Sequence, residues 1–149
     1  MTNLSYQEKN IWGSLIALFA GACWFLGDAI PAFLAGTPPS PERLAPWIFS
    51  IFLAVLVIEL AYHVTLSVCA RRDRRDERDA LIEAKAGRNG YYVLGGGLIA
   101  LGFHVGIWQL VGADPALNLS IAIVAIVTLL VLAESSHLVS KLVYYRRGV

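Results

Sequence analysis

The stretch WIFSIFLAVLVIELAYHVTLSVCA, Trp47 to Ala70, followed at once by Arg71 and Arg72, decides the fold. At about 1.5 Å of rise per residue, a helix of this length crosses the roughly 30 Å of hydrocarbon in a bilayer. Its one formally charged residue is Glu59, and the arginine pair closes it as a headgroup anchor does. Three more stretches share this character: Ile11 to Leu34, Gly90 to Val111, and Leu117 to about Val143. The chain is 57% hydrophobic and 15% charged, whereas a soluble domain carries about 25% charged residues. The expectation is a single all-α transmembrane domain over residues 1–149, a polytopic four-helix bundle. No stretch is left for a soluble catalytic domain, so an enzyme is not expected. Gly95-Gly96-Gly97 lies inside a span and lacks the lysine and preceding strand of a phosphate-binding loop.

Charge sets the expected orientation. Of twelve Lys and Arg residues, only Arg43 falls outside three segments: the N-terminus, the 71–89 loop and the C-terminus. By the excess of basic residues in short loops, both termini and the 71–89 loop are placed in the cytoplasm and the protein in an inner membrane. The first span is too long and too weakly preceded by positive charge for a cleaved signal, so it is expected to remain. Cys23 lies near mid-span and Cys69 at a span end. They are expected as packing residues, not as a disulfide.

The 71–89 loop reads as a short interfacial helix between spans two and three, with Asp76 as cap, Glu77 and Asp79 in its first turn and Leu81 and Ile82 as its apolar stripe. Arg74, Arg75, Arg78, Lys85 and Arg88 are the candidate contacts for anionic lipid or a cytoplasmic partner. Five acids interrupt this basic run and no aromatic is interleaved with it, so nucleic acid is not an expected partner.

A weak internal repeat lays Val55-Leu-Val-Ile-Glu59 over Leu130-Val-Leu-Ala-Glu134, each glutamate twelve residues before an arginine pair. Two repeated hairpins in parallel arrangement follow, with both glutamates about 18 Å of helix in from the basic face. Ser5-Tyr-Gln-Glu-Lys9 with Trp12, Asp76-Glu-Arg-Asp-Ala-Leu-Ile-Glu83 with Arg88 and Tyr91-Tyr-Val-Leu94, and Tyr144-Tyr-Arg-Arg-Gly148 resemble a group of small, uncharacterised bacterial four-helix inner-membrane proteins. The resemblance spans the chain and implies the topology. It implies no activity. Some such proteins sit beside small helix-turn-helix regulators, which brings in a regulatory or scaffolding role.

Ionisable groups inside a bilayer are functional candidates because they are costly there. Glu59 and His63 are four apart on span two, and Glu134 and His137 three apart on span four, with Lys141 continuing that face. If the two stripes face one another they line a cavity open to the cytoplasm. Three readings stay open. The pairs fix helix register by hydrogen bonding, or bind a proton or cation in an ion-linked transporter together with His104, or ligate a metal through Glu59, His63, Glu134 and His137. Glu-x-x-His is the spacing of carboxylate-bridged metal sites, but spans one and three supply no mid-span glutamate to complete one. A bis-histidine haem needs more than two axial ligands to define it, so no cofactor is named. Asp28, near the outer interface, reads as a helix-end residue reaching headgroup water.

Small residues mark the expected packing faces: Gly13, Ala17 and Gly21 on span one, and Gly95, Gly102 and Gly106 on span three opposite His104. The second groove is left for a neighbouring helix or a second copy, and a homo-oligomer is expected. Trp12, Trp47, Tyr91, Tyr92, Tyr144 and Tyr145 sit at span ends as interfacial anchors.

Overall fold

A computed structural model describes residues 5–69, 77–112 and 115–148, and these form four helices: α1 (Tyr6–Leu34), α2 (Pro41–Cys69), α3 (Glu77–Leu110) and α4 (Pro115–Arg147). No strand occurs among the described residues. Local chemistry sets the helix ends. Ser5 and Glu8 form a reciprocal capping box at the start of α1 (3.2 and 3.0 Å), satisfying two amides that the first turn leaves unpaired. Pro41 and Pro115 open α2 and α4, where a missing N–H costs nothing. Gly36, Gly112 and Gly148 take φ near +72° just after α1, α3 and α4, the left-handed stop that a Cβ disfavours.

All four helices are long and apolar enough to cross a membrane. Side chains such as Leu34, Val68, Phe103 and Leu110 stand 70% or more exposed, a surface that water would disfavour and lipid accepts.

The bundle is built around α4, which packs against each of the other helices; α1 also packs on α2, while among the described residues α3 touches neither α1 nor α2. On α1, Gly13 lies under the Tyr62 ring and Gly21 against Val55, and Ala17 between them is buried. The small-residue face of α1 is thus turned to α2. Next to it, Ile11 and Leu15 pack with Leu138 and Leu142 of α4. At the far end Phe25, Leu44 and Ile51 join Val55, Ile123, Val124 and Val127 in one apolar cluster, with the Phe25 and Trp47 rings 5.1 Å apart.

The α3 helix departs from the sequence reading at its start. The expected separate interfacial helix is its first part: the helix runs unbroken from Glu77 through Gly87 and Gly90 to Leu110. Packing on α4 accounts for the continuity. Ile82 and Ala86 are fully buried, and Gly90 sits so close that a Cβ there would lie 2.9 Å from the Ala133 carbonyl oxygen. No helix of the same chain fills the expected groove of Gly95, Gly102 and Gly106, which face open space with no atom within 4 Å of where a Cβ would stand; the glycines that meet α4 are Gly90 and Gly97. Arg74, Arg75 and the expected cap Asp76 lie outside the described residues.

Candidate functional site

Two polar clusters occupy the half of the bundle that holds the N-terminus of α1 and the C-terminus of α4, here termed the basic end. The first joins α1 and α2. Ser14 Oγ lies 3.3 Å from His63 Nε2, and Glu59 Oε1 lies 3.6 Å from the same nitrogen. Because hydroxyl and carboxylate approach one ring nitrogen, the imidazole does not bridge them. A nucleophilic serine would need its acid on the opposite nitrogen, so this is not that arrangement. The adjacent Tyr62 hydroxyl donates to the Lys9 carbonyl at 2.7 Å, holding this part of α2 against α1.

The second cluster joins α3 and α4 and is a continuous chain. Glu134 Oε1 is 3.3 Å from His137 Nδ1, and His137 Nε2 is 3.0 Å from Glu83 Oε1. The other Glu83 oxygen accepts from Lys141 Nζ at 2.7 Å. Here the imidazole does bridge two carboxylates through its two nitrogens, the geometry in which a ring accepts a proton on one side and releases it on the other. His137 and Lys141 are largely enclosed (20 and 16% exposed), while Glu134 and Glu83 are about half exposed. Glu83 precedes the apolar part of α3 that begins at Gly90. Burial pushes its carboxyl upward, but the Lys141 ammonium and then His137 outweigh that and hold it below the ordinary carboxylate range.

Antiparallel packing of α3 on α4 sets this register and continues it outward. Asn89 donates to Ser140 Oγ (2.9 Å) and to the Tyr144 hydroxyl (3.2 Å). Tyr145 donates to Asp79 (3.0 Å), and Arg78 donates to the Tyr145 carbonyl (3.3 Å). Asn89→Ala removes the shared donor from two partly buried hydroxyls and is expected to lower stability by about 1–2 kcal/mol, read as an earlier thermal transition in detergent. A further ion pair, Glu8 with Arg146 at 3.4 Å, ties α1 to α4.

The two clusters do not bond to each other among the described residues: the first lies where α2 packs on α1 and the second where α3 packs on α4.

The four residues proposed as metal ligands do not converge. No group of three or more His, Cys, Asp or Glu side chains able to hold a metal is found among the described residues. The reason is visible at His137, whose two carboxylates sit on opposite ring nitrogens and cannot address one ion. His104 is not part of either cluster; its ring lies 5.2 Å from that of Trp108 on an exposed part of α3. Arg78 is held by Tyr145, whereas Lys85 and Arg88 make no hydrogen bond or ion pair among the described residues. The residue that sequence reasoning missed is Glu83, counted there as a loop acid. A signal was present: Glu83, Gly90 and Gly97 recur at seven-residue steps with Ile82 and Ala86 beside them, one helix face running through the expected boundary of loop and span. No protein-family model, no curated protein and no solved structure matches the chain.

Proposed function

We propose that the chain is a small multi-pass protein of the bacterial inner membrane, its basic end in the cytoplasm, that moves an ion through proton exchange on intramembrane carboxylates. The observation that carries this reading is the chain Glu134–His137–Glu83–Lys141. A purely structural pair needs one hydrogen bond to fix register. Here four titratable groups are joined end to end, from the apolar part of α4 to its basic end. Glu59 with His63 supplies a second carboxylate–histidine pair, between α1 and α2.

The spacing of contacts in the two hairpins supports the repeat. Gly13 against Tyr62 and Gly21 against Val55 correspond to Gly90 against His137 and Gly97 against Leu129, each displaced by about 75 residues as the overlay of Glu59 on Glu134 requires. Alternation between two related carboxylate sites is the way repeated hairpins are used in transport.

The test is flux in vesicles that contain the purified protein and a pH-sensitive dye. An imposed Na⁺ or K⁺ gradient is expected to move protons in vesicles with the parent chain. Glu134→Gln and Glu59→Gln each keep side-chain size and hydrogen-bonding capacity, and each is expected to reduce that movement at least tenfold without change in helix content. Parent vesicles indistinguishable from empty ones under both gradients would remove this reading.

A further inference from the structure

Helix contacts fix which residues share a level in the bundle. Between α3 and α4, Asp79 meets Tyr145, Glu83 meets Lys141, and Gly90 meets Ala133. Between α1 and α4, Glu8 meets Arg146, and Ile11 and Leu15 pack with Leu138 and Leu142. Between α1 and α2, Gly13 meets Tyr62 and Gly21 meets Val55. Followed across the bundle, these pairs set Val68 of α2 level with Asp79 of α3, Val64 with Glu83, Leu60 with Gly87 and Leu56 with Tyr91, each to within about one helical turn. Over these levels the bundle shows two unlike sides. Leu60, Val64 and Val68 of α2 and Ile16 of α1 are exposed. On α3, Glu77, Arg78, Glu83 and Arg88 are exposed instead, with Leu81 the one exposed large apolar side chain over residues 77–90. The α2 run of exposed apolar side chains, Phe49 to Val68, is twenty residues long and carries no formal charge but Glu59. The α3 run, Tyr91 to Leu110, is also twenty residues long and carries none. Each makes one crossing of about 30 Å. They are staggered, because Tyr91 lies twelve residues beyond Asp79, the level at which the α2 run ends, or about 18 Å of helix.

We infer that the bilayer boundary at the basic end crosses the bundle obliquely, so that residues 77–90 of α3 face lipid headgroups and water at a level where α2 faces hydrocarbon. Two equal apolar runs, staggered along the bundle, cannot both be covered by a boundary perpendicular to it. Charge decides which side yields, because exposed ionised side chains are too costly to leave in hydrocarbon. An inclined bundle and a locally thinned leaflet both bring headgroups to α3 at this level. The carboxylates between α3 and α4 are a second, independent sign. Glu134 is level with Leu56, inside the α2 run, yet Glu134 and Glu83 are both about half exposed, which suits a wet surface and not hydrocarbon. The partner of this surface is the headgroup layer with the water it carries, which reaches the Glu83–His137–Glu134 chain from the basic end. The inference does not rest on the proton-exchange reading. If protons are exchanged, this is the side from which they enter.

The test reads water access in phospholipid vesicles that contain the full chain with Cys23→Ala and Cys69→Ala. Single cysteines are placed on α3 (Ala84→Cys, Gly87→Cys) and at matching levels on α2 (Leu60→Cys, Val64→Cys), all at exposed positions where the fold tolerates them. A charged, membrane-impermeant maleimide is supplied on both sides of the vesicle membrane, and its rate in denaturing detergent gives the reference at each position. Relative to that reference, positions 84 and 87 are expected to label at least tenfold faster than positions 60 and 64. Equally fast labelling at all four would overturn the inference, because the whole basic end would then stand in water. Equally slow labelling at all four would overturn it as well, because a second copy would then cover the charged side of α3. Labelling needs no ion gradient. A chain that labels as expected but moves no protons therefore keeps this boundary and loses only the transport reading, and a chain that moves protons but labels equally loses only the boundary.

Discussion

Gly90→Leu is expected to separate α3 from α4 and to cost the chain most of its cooperative thermal transition. A Cβ at position 90 would stand 2.9 Å from the Ala133 carbonyl oxygen and 3.2 Å from the His137 Cβ. Both obstacles belong to the α4 backbone or its first side-chain carbon, so neither can swing aside. Even Gly90→Ala must push the helices apart, at about 1–3 kcal/mol for overpacking of this kind. Leucine adds three further carbons in the same direction. Because Glu83 reaches His137 and Lys141 only while this contact holds, the relay is expected to break with the packing. Gly95→Ala is the matched control. No atom lies within 4 Å of its added carbon, and alanine favours helix by up to about 1 kcal/mol over glycine, so its transition is expected to stay or rise. Unfolding titrations in detergent followed by circular dichroism read both signs. Equal destabilisation at positions 90 and 95 would show that the α3–α4 contact is not as tight as described.

The contrast between those two glycines also shows what the sequence made legible. Four long apolar helices follow from composition and length alone, because a bilayer demands about twenty apolar residues per crossing whatever their neighbours are. Gly13, Ala17 and Gly21 mark a close-packed face for the same general reason. Gly95, Gly102 and Gly106 have a similar spacing, yet they face outward, since residue size says that a helix can approach and not which helix does. Glu83 was harder to read. A charged residue beyond the apolar stretch looks like solvent-facing loop until the helix is known to continue and Lys141 is known to lie opposite it. That register depends on Ile82, Ala86 and Gly90 seating on α4, a property of two segments about fifty residues apart in sequence. Glu59 and Glu134 were legible as costly groups in apolar surroundings. Which nitrogen of which histidine each one meets was not, because helical spacing places a residue on a face and leaves its rotamer to tertiary packing.

Lys141→Met is expected to change the sign of the acid response at Glu83 and to disturb proton exchange without unpacking the bundle. Methionine keeps an unbranched apolar stem in place of a side chain that is only 16% exposed in the parent, and removes the ammonium. In the parent, Lys141 leads the groups that hold the Glu83 carboxyl below its ordinary range against the upward push of burial. A carboxyl lowered by folding stabilises the native state above its unfolded pKa, and that contribution is lost as pH falls through its lower folded value. The parent is therefore expected to lose stability on acidification below the ordinary carboxylate range near 4.5. Without the ammonium, burial is opposed only by the weaker contribution of His137, so the acid-side loss is expected to flatten or reverse. Thermal transitions in detergent across that range read the difference. Under the proton-exchange reading, the vesicle assay should respond as well. Glu83 in Lys141→Met holds its proton at higher pH, so the pH at which flux is half-maximal should move upward. If Glu83 and Lys141 only brace α3 against α4, the stability profile changes while the flux profile of the surviving folded protein stays where it was.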